Sequence, residues 1–255
     1  MFEFSYYEPV LLWKPVIEEN FGQERFLTDH PIKLVMEGKF QNVPIMSGIT
    51  TEEFGYKSIE TLRNPDLLQQ LDQQWEKFAP IVFLYERNTE RSRAISMGLR
   101  TFYFGDKKLI ILLSFNFLTY TTRLRADFHY EGKYSHYYIP GSNRTLTYGV
   151  VHHDDMMYLM YISTLFPEFK KTDPEFRIVQ KMTTMWSNFA ITGKPIPETC
   201  GRLDHAEWEP YNRRTQKYLD IGERLKEAER LYEERYAEWE KLFPLSEIKI
   251  QNISY

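Results

Sequence analysis

The sequence predicts an α/β fold, in which strands and amphipathic helices share one core. Three observations predict it. A short apolar run, Asn42-Val43-Pro44-Ile45-Met46-Ser47-Gly48-Ile49, is bounded by a polar stretch and reads as a buried sheet strand. Two long segments further on, residues 174–192 and 223–243, carry helical periodicity, so strand and helix signals are mixed along one chain.

The elements follow in chain order. Residues 65–79 read as a helix, because Leu67, Leu68, Leu71, Trp75 and Phe78 recur at three- and four-residue spacing; Pro80 is expected to stop it. Residues 174–192 read as a stronger helix. Asp173 can cap it, Pro174 sits where a missing N–H costs nothing, and Glu175 suits the positive end of the dipole. Phe176, Val179, Met182, Met185, Trp186 and Phe189 follow the period, and Gly193 supplies the stop. Residues 223–243 read as a further helix, with Leu225, Ala228, Leu231, Tyr232, Tyr236, Trp239, Leu242 and Phe243 on one side. With no repeat and no Pro/Gly/Ser-rich linker, residues 1–255 are expected to form one domain or part of one.

Composition narrows the function classes. Of the 255 residues, 42% are hydrophobic and 27% charged, as in ordinary globular proteins. A net charge of −4 with no basic stripe argues against nucleic acid as a partner. The most apolar run, Leu109 to Leu118, has about half of the roughly twenty residues a membrane span needs. The first residues, Met1-Phe2-Glu3-Phe4-Ser5, have neither the basic region nor the apolar stretch of a signal peptide. A single cysteine, Cys200, excludes an internal disulfide. Two sequons, Asn143-Arg144-Thr145 and Asn252-Ile253-Ser254, would matter only outside the cell.

One region concentrates titratable groups: Gly149-Val150-Val151-His152-His153-Asp154-Asp155. A metal site there is disfavoured, because adjacent side chains diverge and zinc motifs space their ligands several residues apart. No second cluster along the sequence completes a ligand set, so neither metal nor cofactor is expected. Acid–base chemistry fits better. A histidine at a loop tip can act as a general base if a carboxylate orients it and a hydroxyl lies on its other side. Gly48-Ile49-Thr50-Thr51-Glu52-Glu53 offers that carboxylate just past the predicted strand, at the end where open α/β sheets place their sites.

Taken with their neighbours, these stretches resemble the C-terminal half of the type-B carboxylesterase and cholinesterase family, with the insect esterases of juvenile-hormone-esterase and venom type nearest in flavour. The resemblance rests on Trp13-Lys14-Pro15-Val16-Ile17-Glu18, on Val43-Pro44-Ile45-Met46-Ser47-Gly48 with Glu52-Glu53, and on Tyr130-Glu131-Gly132-Lys133-Tyr134-Ser135. It continues through Gly149-Val150-Val151-His152 with Asp154-Asp155, Trp186-Ser187-Asn188-Phe189-Ala190 and Gly193-Lys194-Pro195, to Leu242-Phe243-Pro244-Leu245. It implies half of an α/β-hydrolase fold, with a mostly parallel sheet flanked by helices. It implies a Ser-His-Glu triad with Glu53 as the acid and His152 as the base, in preference to Glu52 and His153. It further implies a small lipophilic ester as substrate, secretion, and a gorge lined by the aromatic segment from Phe2 to Trp13.

Two departures limit it. The Gly-x-Ser-x-Gly elbow that should precede the acid and the histidine is absent from the sequence, so the chain is expected to begin beyond the serine and to lack activity alone. The stretch from Leu118 to Tyr130 reads as shorter than its family equivalent. A second function class stays open: the same fold serves non-catalytic adhesion proteins of neuroligin type. Such proteins usually lack triad residues, whereas Glu53 and His152 are both here.

Overall fold

The computed structural model describes residues 16–53, 64–107, 124–139, 141–197 and 203–244. The aromatic segment from Phe2 to Trp13, the apolar run from Leu109 to Leu118, Cys200 and the Asn252 sequon lie outside them, as do residues 118–123 of the stretch read as short.

The chain divides into two compact units. One comprises Pro44–Gln69 and Leu109–Tyr232 and is built on a four-stranded sheet. Its strands are β1 (Met46–Thr50), β2 (Leu124–Phe128), β3 (Lys217–Ile221) and β4 (Leu225–Glu229), in spatial order β1-β2-β3-β4. The first three are parallel, and β4 returns antiparallel on β3. The predicted strand is therefore present, shifted to start at Met46. Alternation sorts the two faces. Leu124, Ala126 and Phe128 join Leu219, Ile221 and Leu225 in the core, while Arg125 and Asp127 point the other way.

The helix that covers the core face is α5 (Glu175–Thr192), following α1 (Pro31–Met36), α2 (Pro65–Gln73), α3 (Trp75–Val82) and α4 (Glu90–Phe104) in chain order. It buries Ile178, Met182 and Met185, each worth about 1.5–3 kcal/mol when fully removed from water. Gly193 ends it at φ +74° in the left-handed conformation, as predicted. The start differs. Pro174 occupies the cap position without a side-chain bond, because the Asp173 carboxylate accepts instead from Lys170 N and Lys133 Nζ, each at 2.8 Å.

The predicted helix over 223–243 is corrected. Its first part is strand β4, paired to β3 from Ile221↔Leu225 to Lys217↔Glu229; only Glu233–Leu242 (α6) is helical. Leu225 and Ala228 happen to match a helical period, but Gly222-Glu223-Arg224 forms a tight turn, and ladder hydrogen bonds to β3 outweigh the local pattern.

The second unit comprises Met1–Val43, Gln70–Lys108 and Glu233–Tyr255, and its described residues are helical or irregular. Trp75 packs edge-on against Phe83 and Phe104, and Trp239 stacks on Phe243 while donating to Tyr103 Oη at 2.8 Å. Helix α4 opens with a reciprocal capping box between Thr89 and Ser92. The predicted helix at 65–79 is interrupted at Gln74 and runs on through Pro80 to Val82. Burial of Phe78, Ala79, Pro80 and Ile81 offsets the missing N–H. Among the described residues no helix is long and apolar enough to cross a membrane.

Candidate active site

The site is built where two loops meet. Strand β1 ends at Thr50, and the chain continues through Glu52, whose N–H donates to Val150 O at 2.9 Å. Glu52 and Val151 form a parallel bridge, so the two loops are joined by backbone one residue from Glu53 and from His152. Gly149 makes this approach possible. Its φ is +93°, and a Cβ there would stand 2.8 Å from the Glu52 Cγ.

Across that bridge His152 Nδ1 lies 2.5 Å from Glu53 Oε2, although the two residues are 99 positions apart. The other carboxylate oxygen, Oε1, accepts from Thr50 N at 3.0 Å. The acid is thus held at both oxygens, and the imidazole is held by the acid. A carboxylate on Nδ1 favours the tautomer with its proton there, which makes Nε2 the basic nitrogen. The backbone of Glu52, the alternative acid, forms the bridge, and the carboxylate on His152 Nδ1 is that of Glu53.

The histidine loop is organised by Asp154. This carboxylate is buried, at 4% exposure, and accepts from Val151 N (3.0 Å), Ser135 Oγ (2.7 Å), His136 N (2.8 Å) and His136 Nδ1 (3.0 Å). The sequence motif contains Asp154, but its partners come from residues 135 and 136, where the chain is irregular. Only the three-dimensional contact reveals the role.

His153 departs from expectation. Adjacent side chains should diverge, yet its ring centroid lies 3.9 Å from that of His152, tilted by 33°. The cause is its φ of +76°, which turns the side chain back over its neighbour. Burial, with the nearby His152 and His136, holds its pKa below the ordinary imidazole value. Asp155 is pushed up, by burial first and then by the Glu53 charge.

A second group of titratable residues assembles on the sheet: Asp127 at the end of β2, His129 just beyond it and Asp220 on β3. The sequence reading found no second cluster because Asp220 is remote along the chain and enters only through strand register.

The chain has recognisable kin. The family model described as "Carboxylesterase family" matches residues 2–239. A juvenile hormone esterase of Tribolium castaneum is 27% identical over 77% of this chain and 39% of its own length. Venom carboxylesterase-6 of Apis mellifera is 25% identical over 83% of this chain and 40% of its own length. The chain therefore spans about two-fifths of the curated relatives it matches. Among solved structures, the juvenile hormone esterase of Manduca sexta, with OTFP covalently attached, superposes with a TM-score of 0.69 over 91% of this chain and 47% of that one. At 16% identity that likeness speaks for the fold alone, an α/β-hydrolase fold with a mostly parallel sheet flanked by helices. The match of the family model to almost the whole length, in a chain with this fold, means that the protein belongs to the carboxylesterase family.

Proposed function

We propose that this chain supplies the histidine and the acid of a carboxylic-ester hydrolase of Ser-His-Glu type, the serine coming from sequence outside these 255 residues. The observation that carries the reading is the His152 Nδ1–Glu53 Oε2 bond at 2.5 Å, anchored by Thr50 N on the acid. In that arrangement His152 Nε2 takes the proton of a serine hydroxyl as its oxygen attacks the ester carbonyl. The imidazolium then returns the proton to the leaving alcohol, and a water repeats the cycle on the acyl-serine. Glu53 fixes the tautomer and stabilises the imidazolium. No cofactor takes part. The substrate class is a small lipophilic carboxylic ester.

The experiment is complementation. Alone, the 255-residue chain should leave a fluorophosphonate probe unreacted, because its sequence holds no Gly-x-Ser-x-Gly elbow. Joined to a Gly-x-Ser-x-Gly-bearing segment of a carboxylesterase relative, it should hydrolyse a p-nitrophenyl ester. In the joined protein His152→Ala should abolish turnover, Glu53→Gln should lower kcat by about 10²–10⁴-fold, and His153→Ala should retain most activity. Equal losses for His152→Ala and His153→Ala would sink the assignment. A folded joined protein that never reacts with the probe would favour the adhesion-type alternative.

Secretion belongs to the same proposal. Asn143 is exposed in a turn, with Thr145 following it. Expressed through a secretory pathway, the chain should lose one glycan's mass on endoglycosidase treatment if Asn143 is used, and Asn143→Gln should remove that shift.

A further inference from the structure

Asp127 and Asp220 are direct register partners on the adjacent parallel strands β2 and β3, so their side chains leave the sheet on one face about 4.8 Å apart. His129 follows Asp127 by two residues and projects to the same side. One ligand atom from each of the three lies within 4.8 Å of the others.

Two features set this group apart from an ordinary acidic patch. Asp127 is 7% exposed, and its Oδ1 has no hydrogen-bond partner among the described residues. A buried carboxylate oxygen without a partner costs several kcal/mol, on the order of a lost charged hydrogen bond or more. Secondly, among the described residues the charges around the group do not balance. His129 pairs with Asp220 and can offset one negative charge at most, while Glu52 adds further negative potential at Asp127.

We propose that Asp127, His129 and Asp220 form a binding site for a divalent first-row transition ion such as Zn²⁺. Two carboxylates neutralise a dication, and an imidazole nitrogen selects zinc-like ions over the all-oxygen sites of calcium and magnesium. The His129 side chain is 44% exposed, which gives the ion a way in and leaves room for water as a fourth ligand. Gly222 completes the cradle. A Cβ at that position would collide with His129 Nε2, so glycine is what allows the ring to lie where it does.

The test is calorimetric titration of the full chelator-stripped chain with Zn²⁺. One ion per chain should bind with a Kd below about 10 μM. Asp127→Asn and His129→Gln should each weaken it by at least about tenfold. His152→Ala and His153→Ala should leave it unchanged, which separates this group from the histidine loop. Co²⁺ provides a second readout: its visible absorption should appear on binding to the wild-type chain and be lost in His129→Gln. Because His129 is half-exposed, that variant should fold even if Asp127→Asn does not. No saturable binding to the folded wild-type chain, or equal affinity in His129→Gln, overturns the proposal. So does binding that follows His153.

Discussion

Asp154 controls the histidine loop through four accepted hydrogen bonds, although it touches neither Glu53 nor His152 in the bonds described above. Replacing it by alanine would leave Val151 N, Ser135 Oγ and His136 N without their acceptor in a buried setting. We expect Asp154→Ala to cost about 3 kcal/mol or more, read as a lower urea midpoint at unchanged slope. Asp154→Asn should recover part of the loss, since an amide oxygen can keep some of those bonds. A loss below about 0.5 kcal/mol would show that the loop is held by something else. His153 offers a pH test with a defined sign. Its folded pKa lies below the ordinary value of about 6.5, so the stability it supports is present above that value. That stability is lost as pH falls through the folded pKa. His153→Gln cannot take up the proton. Its melting temperature relative to wild type should therefore rise between pH 7.5 and pH 5, and a constant difference would contradict the assignment. Both residues were visible in the sequence as part of one polar run. Their roles were not, because Asp154 acts through residues 135 and 136, and the left-handed backbone at His153 has no sequence signal beyond the loop itself.

At the scale of elements, one lysine adds a polar tie to the apolar packing between α5 and the β3–β4 hairpin. Lys181 is buried on α5 and donates to Asp204 Oδ2 at 2.5 Å and to Glu223 O at 2.6 Å. Asp204 Oδ2 also accepts from Leu225 N, the first residue of β4, at 3.0 Å. Burial alone would raise the Asp204 pKa, but Lys181 and the Leu225 N–H overcome it and hold the carboxyl below its ordinary range. The stability this gives is present above the ordinary carboxyl value of about 3.9 and is lost as pH falls through the lower folded value. Lys181→Met should cost about 1–3 kcal/mol near neutrality, because the Asp204 carboxylate loses its cationic donor, keeping Leu225 N, and Glu223 O loses the bond from Lys181. The deficit should shrink in acid; a deficit independent of pH would mean that packing dominates. This join also shows where sequence legibility ended. Helix α5 was readable because its apolar positions, first-turn acid and terminal glycine all agree. The hairpin was not, since Leu225 and Ala228 satisfy a helical period by chance, and pairing partners are a tertiary property. The strand at Met46 was legible because it lies in a short apolar run beside a polar stretch; the glycine within that run lies tight against β2, where a Cβ at Gly48 would stand 3.2 Å from Ala126 O.

For the molecule as a whole, the sheet matters most. Strand β1 pairs on one side with β2 across five register positions, and among the described residues no strand pairs its other side. A parallel strand with an open edge presents unpaired N–H and C=O groups, and parallel sheets are normally covered on both faces. Large apolar side chains are exposed too: Phe21 at 86%, Phe26 at 98% and Ile191 at 81%. An exposed edge and scattered apolar groups together favour association. The 255-residue chain alone should therefore elute larger than its 30.7 kDa mass in size-exclusion chromatography with light scattering, and should enhance ANS fluorescence. Joined to the complementing esterase segment, it should become monodisperse and lose the ANS signal, because a neighbouring strand would satisfy the β1 edge. Charged substitution within β1 separates edge pairing from general stickiness. Ser47→Lys places a cation on a partly buried strand position and should reduce self-association of the isolated chain while also impairing complementation. If the isolated chain is instead a cooperative, sharply melting monomer of ordinary ANS response, then β1 needs no further strand. The serine-supplying arrangement proposed above would then lose its structural motive.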